Sequence, residues 1–471
     1  MFRHKFLFAR LTMAGLLSVS LMPVKAARAE ETRESESETR SGESEARTRE
    51  ETGDSAQTSN GTGGASPMAA APVVPPSPGR ATLTGDWGGL RSHLSKSGVN
   101  FRADYVSESF AMVDGGLRRG NGYAQQIRAG VDVDLAKTMG WKGAIFHFTL
   151  NDRAGVGASS QIAGNRLPIQ EVAGGNYAKL TEFTIEQKLL GDRLDLRLGY
   201  YAMGNDLGGM ALGCNLVNAA FCAHPLSMSG DTGWYNYPNA RWGLTIRYRL
   251  LKELTVRTGI NQVNPDLSLR RNGFKPFAGG STGFLVPLEF EYDPGSTPTS
   301  HMLPGHYKLG AYYDSTTVTR QGGGGMVTGR YGLYLLADQM IWRGTHGRGL
   351  SIFGQVTANP RNTAPLTRWY AAGFVKTGTF PGRDADTISF GVIQAKVNPN
   401  VYALHTEALE QAGSFTALPT GETAVELSYG IQVKRWLNIR PDVQYIIDPG
   451  AFSFRNTRNV VALGGQIKAQ F

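Results

Sequence analysis

Val461-Ala462-Leu463-Gly464-Gly465-Gln466-Ile467-Lys468-Ala469-Gln470-Phe471 ends the chain in strict alternation. Val461, Leu463, Gly465, Ile467, Ala469 and Phe471 share one parity; Ala462, Gly464, Gln466, Lys468 and Gln470 share the other. A period of two puts these sets on opposite faces of a β-strand. In a soluble sandwich the apolar face looks into a core. In an outer-membrane barrel it looks into lipid, and the polar face looks into a wet lumen.

The other end of the chain favours the second reading. Arg3, Lys5 and Arg10 form a basic start, 11–22 an apolar stretch, and Ala27-Arg28-Ala29 a small-residue cleavage site, so 1–29 reads as a signal peptide. Residues 30–80 read as a disordered acidic and Pro/Gly-rich tail. Ten acids and four arginines fill 30–54 without the apolar a and d positions of a coiled coil, and a Gly/Pro/Ala/Ser linker follows. A periplasmic spacer, a cell-wall tether and a plain solvated tail all fit that composition. The signal adds five positive charges and the tail a net five negative ones, so 81–471 keeps the whole net charge of +9. Attraction of anions to a pore and attraction to anionic lipid both fit a basic barrel.

Beyond the signal there is no apolar run long enough for a transmembrane helix, but barrel strands need only about 9–11 residues. Period-two segments predict sixteen strands, over 99–111, 123–135, 143–151, 180–189, 193–202, 240–250, 254–264, 283–293, 305–315, 330–342, 349–358, 367–378, 386–396, 422–435, 437–448 and 458–471. With both termini in the periplasm, turns after even strands are short, as at 190–192 and 251–253. Those after odd strands are mostly longer, as at 152–179, 203–239, 265–282 and 397–421. The connection 294–304 breaks this rule and suggests a miscounted strand. Trp141, Trp342 and Trp436 fall beside periplasmic turns, and Trp242 and Trp369 at outer strand ends, where amphipathic rings favour the headgroup level.

Both cysteines, Cys214 and Cys222, sit in the longest loop, 203–239, and point to a disulfide rather than free thiols in an exported chain. Such a stapled loop suits a plug folded into the lumen, and equally a loop stiffened against proteolysis. No enzymatic constellation emerges. There is no H-E-x-x-H and no G-x-S-x-G, and Gly322–Gly325 lacks the Lys and Ser/Thr of a phosphate loop. No metal, cofactor or nucleic-acid partner is expected.

What recurs is charge on the polar parity. Arg102, Asp104 and Glu108 mark strand one, Arg128 and Asp132 strand two, Glu182 and Glu186 strand four, Arg197 strand five and Arg247 strand six. A charge on the lipid face costs roughly 2–4 kcal/mol near the midplane, so these nine are channel-lining candidates. Guanidinium and carboxylate groups suit sugar hydroxyls, although a generic pore with salt-bridged walls fits the same pattern.

Longer motifs carry a family resemblance over 83–471. They are Leu83-Thr84-Gly85-Asp86-Trp87-Gly88-Gly89-Leu90-Arg91, Phe221-Cys222 with Pro225, Tyr235-Asn236-Tyr237-Pro238, Gly310-Ala311-Tyr312-Tyr313-Asp314, Glu422-Thr423 with Glu426-Leu427-Ser428-Tyr429, and Arg440-Pro441-Asp442-Val443-Gln444-Tyr445-Ile446-Ile447-Asp448-Pro449-Gly450. The chain resembles the carbohydrate-selective porin family of the OprB type. That resemblance implies an all-β, antiparallel outer-membrane barrel of about sixteen strands, with a short N-terminal helix and long extracellular loops folded into a channel. It implies passive diffusion of carbohydrates: monosaccharides, polyols and sugar acids. It also implies that Phe471 is the signal read by the barrel assembly machinery. The partners expected are carbohydrate solutes, outer-membrane lipid and that machinery, with the chain a monomer or a trimer. A non-selective pore and an outer-membrane barrel enzyme are the alternatives.

Overall fold

The alternating terminal segment is the strand that closes the fold. β16 (Val460–Gln470) lies antiparallel beside β1 (Val99–Asp114), with Asp104 opposite Gln470 and Phe110 opposite Gly464. The computed structural model describes residues 82–471 apart from 223, 298 and 299. The signal peptide expected over 1–29 and the tail expected over 30–80 lie outside the described residues.

Between these ends run β2 (Gly120–Asp134), β3 (Ala144–Val156), β4 (Tyr177–Leu189), β5 (Leu194–Tyr201), β6 (Arg241–Leu251), β7 (Leu254–Val263) and β8 (Gly283–Tyr292). Then come β9 (Gly305–Thr319), β10 (Met326–Arg343), β11 (Gly349–Ala358), β12 (Leu366–Thr377), β13 (Thr387–Val397), β14 (Gly421–Lys434) and β15 (Leu437–Ile447). Each strand pairs with its sequence neighbours, and the sixteen form one closed antiparallel barrel. Closure leaves no unpaired strand edge, which a bilayer would not tolerate. The connection 293–304 hides no further strand among the described residues. β8 and β9 pair directly across it, Tyr292 opposite Tyr307, so the suspected miscount is corrected: this periplasmic turn is simply longer.

The two faces divide as the alternation requires. On β16 Leu463 and Ile467 are 44% and 42% exposed on the outside, while Gln466 is 2% exposed on the inside. Leu333, Leu427, Val443 and Tyr445 continue the exposed apolar wall, which has no aqueous use and suits lipid. A bulge in β4 resets the inward parity. Thr149 faces Glu182 and Leu150 faces Leu180, which leaves Thr181 as the extra residue and turns Glu182 and Glu186 inward.

Short helices occupy the ends. α1 (Leu90–Lys96) follows the Trp87–Gly89 turn, and α2 (Leu135–Met139) fills the turn after β2. α3 (Leu226–Asp231) lies inside the 203–239 loop. α4 (Pro399–Gln411) lies in an outer loop, capped by the Asn398 side chain, which accepts from the Asn400 and Val401 N–H groups. The N-terminal segment clasps the last strand: Leu83 N–H donates to the Gln470 carbonyl, and Arg91 Nη2 donates to the Phe471 carbonyl at 2.8 Å.

Trp369 departs from its expected interfacial place. It is fully buried on the inner face of β12, and its indole N–H donates to Gln355 Oε1 at 3.0 Å. The reason is the loop that covers this part of the wall.

Candidate functional site

The lumen is shaped by loops docked on its wall. Residues Leu216, Val217 and Phe221 of the 203–239 loop pack against Phe353, Trp369, Ile393 and Ile446 from β11, β12, β13 and β15. Nearer its two ends, Met203, Leu207, Met228 and Trp234 of the same loop meet Tyr312, Tyr334 and Leu336 from β9 and β10. Among the described residues, the apolar clusters inside the barrel each include side chains from an inward loop. Cys214 and Cys222 form a disulfide in this loop. Gly391 of β13 makes the close approach possible, because a Cβ there would lie 2.5 Å from the Phe221 ring.

A second segment, 157–176, also turns inward, with Ile162, Leu167 and Ile169 in the same apolar cluster. It carries no cysteine pair, and the sequence offers no comparable mark of its path.

Both segments hang from carboxyl groups on the wall. Glu422 of β14 accepts from the Arg166 and Leu167 N–H groups, each at 2.7 Å. Two residues pairs further along that strand's inner face, Glu426 accepts from Val217 and from Asn218 N–H, the latter at 3.0 Å. Glu289 of β8 accepts from Gly208 N–H, and Asp314 of β9 from Gly233 N–H. Glu108 of β1 accepts from Val172 N–H at 3.0 Å. These bonds engage the loop main chain, so they fix the path of the loop regardless of its side chains.

Opposite this packed region, β1 to β6 carry the charged wall. Arg102 Nε lies 3.0 Å from Asp132, and its Nη2 lies 2.8 Å from Glu182. Arg128 Nε is 2.6 Å from Asp104. Arg197 reaches Asp206 at 2.6 Å, Glu182 at 3.4 Å and Glu186 at 3.8 Å. Arg247 pairs with Asp195 of β5. Of the nine residues expected from parity, Arg102 and Asp132 are the most solvated, with side chains 38% and 27% exposed. Arg128, Asp104 and Glu182 are partly exposed. Glu186, Arg197 and Arg247 are buried in ion pairs, and Glu108 is sealed under 157–176 at 1% exposure.

The parity reading missed Arg153, Lys179 and Arg241, which face the loop segment 235–239. The guanidinium groups of Arg128 and Arg153 lie over the Tyr237 ring at 5.6 and 5.9 Å, and that of Arg241 over Tyr235 at 3.4 Å. Lys179 Nζ donates to Asn239 Oδ1 at 2.7 Å. Cation–π contacts strengthen as water is excluded, so these cations hold the loop's aromatic strip against the β2–β6 wall.

Two loop groups titrate abnormally. Burial pushes the His224 imidazole down to about 3, with Asn236 opposing. Burial pushes the Asp231 carboxyl up to about 7, against the pull of Arg330. The docked loop thus prefers both groups neutral. His224 weakens docking as pH falls from about 6.5 toward 3, because the freed side chain takes up a proton. Asp231 weakens docking as pH rises from about 3.8 toward 7, because the freed carboxyl gives one up. The two slopes oppose each other between about pH 4 and 6.5. Protease resistance of the loop should therefore be nearly flat over that window. In Asp231→Asn it should climb with pH, by up to roughly tenfold per unit in the docking equilibrium. In His224→Gln it should fall, and parallel profiles in all three proteins would refute the assignment.

An apolar outer wall, a charged and partly solvated inner wall and inward-docked loops define an outer-membrane diffusion channel. Comparison with known proteins places it more closely. The family model "Carbohydrate-selective porin, OprB family" matches residues 118–471. Porin B of Pseudomonas aeruginosa is 31% identical over 427 residues, covering 84% of this chain and 92% of that protein. The high-pH structure of Pseudomonas putida OprB superposes with a TM-score of 0.77 at 29% identity, covering 84% of this chain and 99% of that one. The low-pH structure of the same protein gives 0.56 at 25% identity, over 84% and 100% of the two chains. The chain belongs to the carbohydrate-selective porin family, a channel of the bacterial outer membrane that passes carbohydrates.

Proposed function

We propose that monosaccharides, polyols and small sugar acids diffuse through this lumen past Arg102, Asp104, Arg128, Asp132 and Glu182, with no further step of catalysis. The observation that carries this reading is the partly solvated pairing of Arg102 with Asp132 and Glu182, and of Arg128 with Asp104. Donors and acceptors already paired there exchange partners with a passing hydroxyl, replacing part of its hydration at little cost. The Tyr237 strip, docked on this same wall over Arg128 and Arg153, thickens it and so narrows the path, which supports preference for single rings over longer sugars. Outer-membrane lipid surrounds the barrel. Phe471, whose N–H donates to the Ala103 carbonyl at 2.9 Å, serves the assembly machinery as the terminal signal before the seam closes. The protein works as a monomer or a trimer, each barrel having its own path.

Liposome swelling tests the reading. Glucose and gluconate should enter far faster than a disaccharide of similar polarity, and Arg102→Ala with Arg128→Ala should lower the glucose rate several-fold while the barrel stays folded. Equal rates for all three solutes would leave only a non-selective pore.

A further inference from the structure

The connection between β7 and β8, residues 264–282, starts at the inner rim, where the Ser268 carbonyl accepts from Lys179 Nζ at 2.7 Å, and then crosses to the outer wall. Leu267 and Ala278 pack with Tyr200, Leu180 and Trp242. Tyr200 and Trp242 share the outward face of β5 and β6, one step above the openly exposed Leu198. Leu180 N–H donates to the Gly273 carbonyl at 2.8 Å, and the Trp242 indole N–H donates to the Pro276 carbonyl at 2.8 Å. Phe277 stacks on Trp242 with ring centres 5.0 Å apart. The segment is thus a flap laid on the outer wall, at the upper rim of the apolar belt.

A flap that only shielded the wall would turn polar side chains outward. This one leaves Phe277 80% and Phe274 58% exposed. Arg270, Arg271 and Lys275 are exposed beside them, against a single acid in the flap, Asp266. Aromatic rings at a headgroup boundary with cations alongside match a ligand that is oily below and anionic above. Guanidinium forks suit phosphate oxygens in particular.

We infer that the 264–282 flap binds the phosphorylated, multiply acylated glycolipid of the outer leaflet. Phe274 and Phe277 rest against its acyl and sugar boundary, and Arg270, Arg271 and Lys275 neutralise its phosphates. The site is separate from the lumen, so it stands or falls independently of the sugar reading.

The test uses the whole barrel in detergent, titrated with diphosphorylated lipid A and with its dephosphorylated form, and bound lipid read by native mass spectrometry. The triple variant Arg270→Ser, Arg271→Ser, Lys275→Ser should bind diphosphorylated lipid A on the order of a hundredfold more weakly, with the dephosphorylated form unaffected. Phe274→Ser with Phe277→Ser should weaken both. Retained glucose entry checks folding, and Lys275→Ser alone serves if the triple variant fails to insert. Equal binding of the two lipids, or an unchanged triple variant, overturns the proposal. Cross-linking from Phe277→Cys to a second barrel in place of lipid capture also overturns it, giving the flap to another copy of the chain.

Discussion

Replacing Glu422 and Glu426 together by Ala should release both inward segments and turn a narrow, quiet channel into a wide, noisy one. Each carboxyl accepts two main-chain N–H groups from a loop: Arg166 and Leu167 at Glu422, Val217 and Asn218 at Glu426. Losing such bonds forfeits about 1 kcal/mol each, and a buried N–H left without an acceptor costs about 1–3 kcal/mol more, so each site is worth at least about 2–4 kcal/mol to docking. The barrel strands do not depend on these bonds, since their ladders close on their own. Planar-bilayer recordings should show raised and fluctuating conductance, and disaccharides should enter liposomes. Glu426→Gln alone should give a milder version, because an amide keeps one acceptor oxygen but turns its NH2 toward the other donor. Glu410→Gln, on the exposed face of α4, should change nothing. An unaltered conductance in the double variant would mean that the apolar contacts of Phe221 and Trp234 suffice to hold the loop.

The barrel was legible because period-two alternation is forced wherever a strand separates lipid from water, and bulges such as that at Thr181 of β4 interrupt it only locally. Two of the misreadings trace to one physical cause: the loops make part of the lumen wall dry. There the inner parity is apolar, so Trp369 looked like a lipid-interface residue although it points inward beneath the loop. Glu108 has the inward parity expected of a channel residue, yet 157–176 lies over it, and nothing local in the sequence marks that cover. Arg153 and Lys179 were lost differently. β3 and β4 run past the ends assigned to them, to Val156 and back to Tyr177, and both cations stand in the added residues. The disulfide was readable because two cysteines in an exported loop have few other uses. The carboxyl pegs were not, since an acid that binds distant main chain looks like any other inward acid until the fold brings them together.

Arg197→Met should destabilise the barrel more than any other single substitution in the charged wall. The guanidinium is 6% exposed and joins Glu182 of β4, Glu186 of β4 and Asp206 at the start of the 203–239 loop. His147 extends the network, with Nδ1 2.8 Å from Asp132 and Nε2 3.7 Å from Glu186. Removing the arginine leaves three carboxylates close together with little water and only Arg102 and His147 beside them in part compensation, and breaking even one buried pair costs about 3–5 kcal/mol. Urea unfolding in detergent, followed by the gel shift of the heat-denatured barrel, should move to markedly lower urea. Arg197→Lys should fall between, since an ammonium keeps the charge but cannot fork to carboxylates on two elements. Adding Glu182→Gln and Asp206→Asn to Arg197→Met should recover much of the loss, because a neutral cluster no longer repels itself. Recovery separates a charge effect from a packing effect. If the triple variant is no more stable than Arg197→Met, the arginine acts through the volume it fills rather than through the carboxylates it joins.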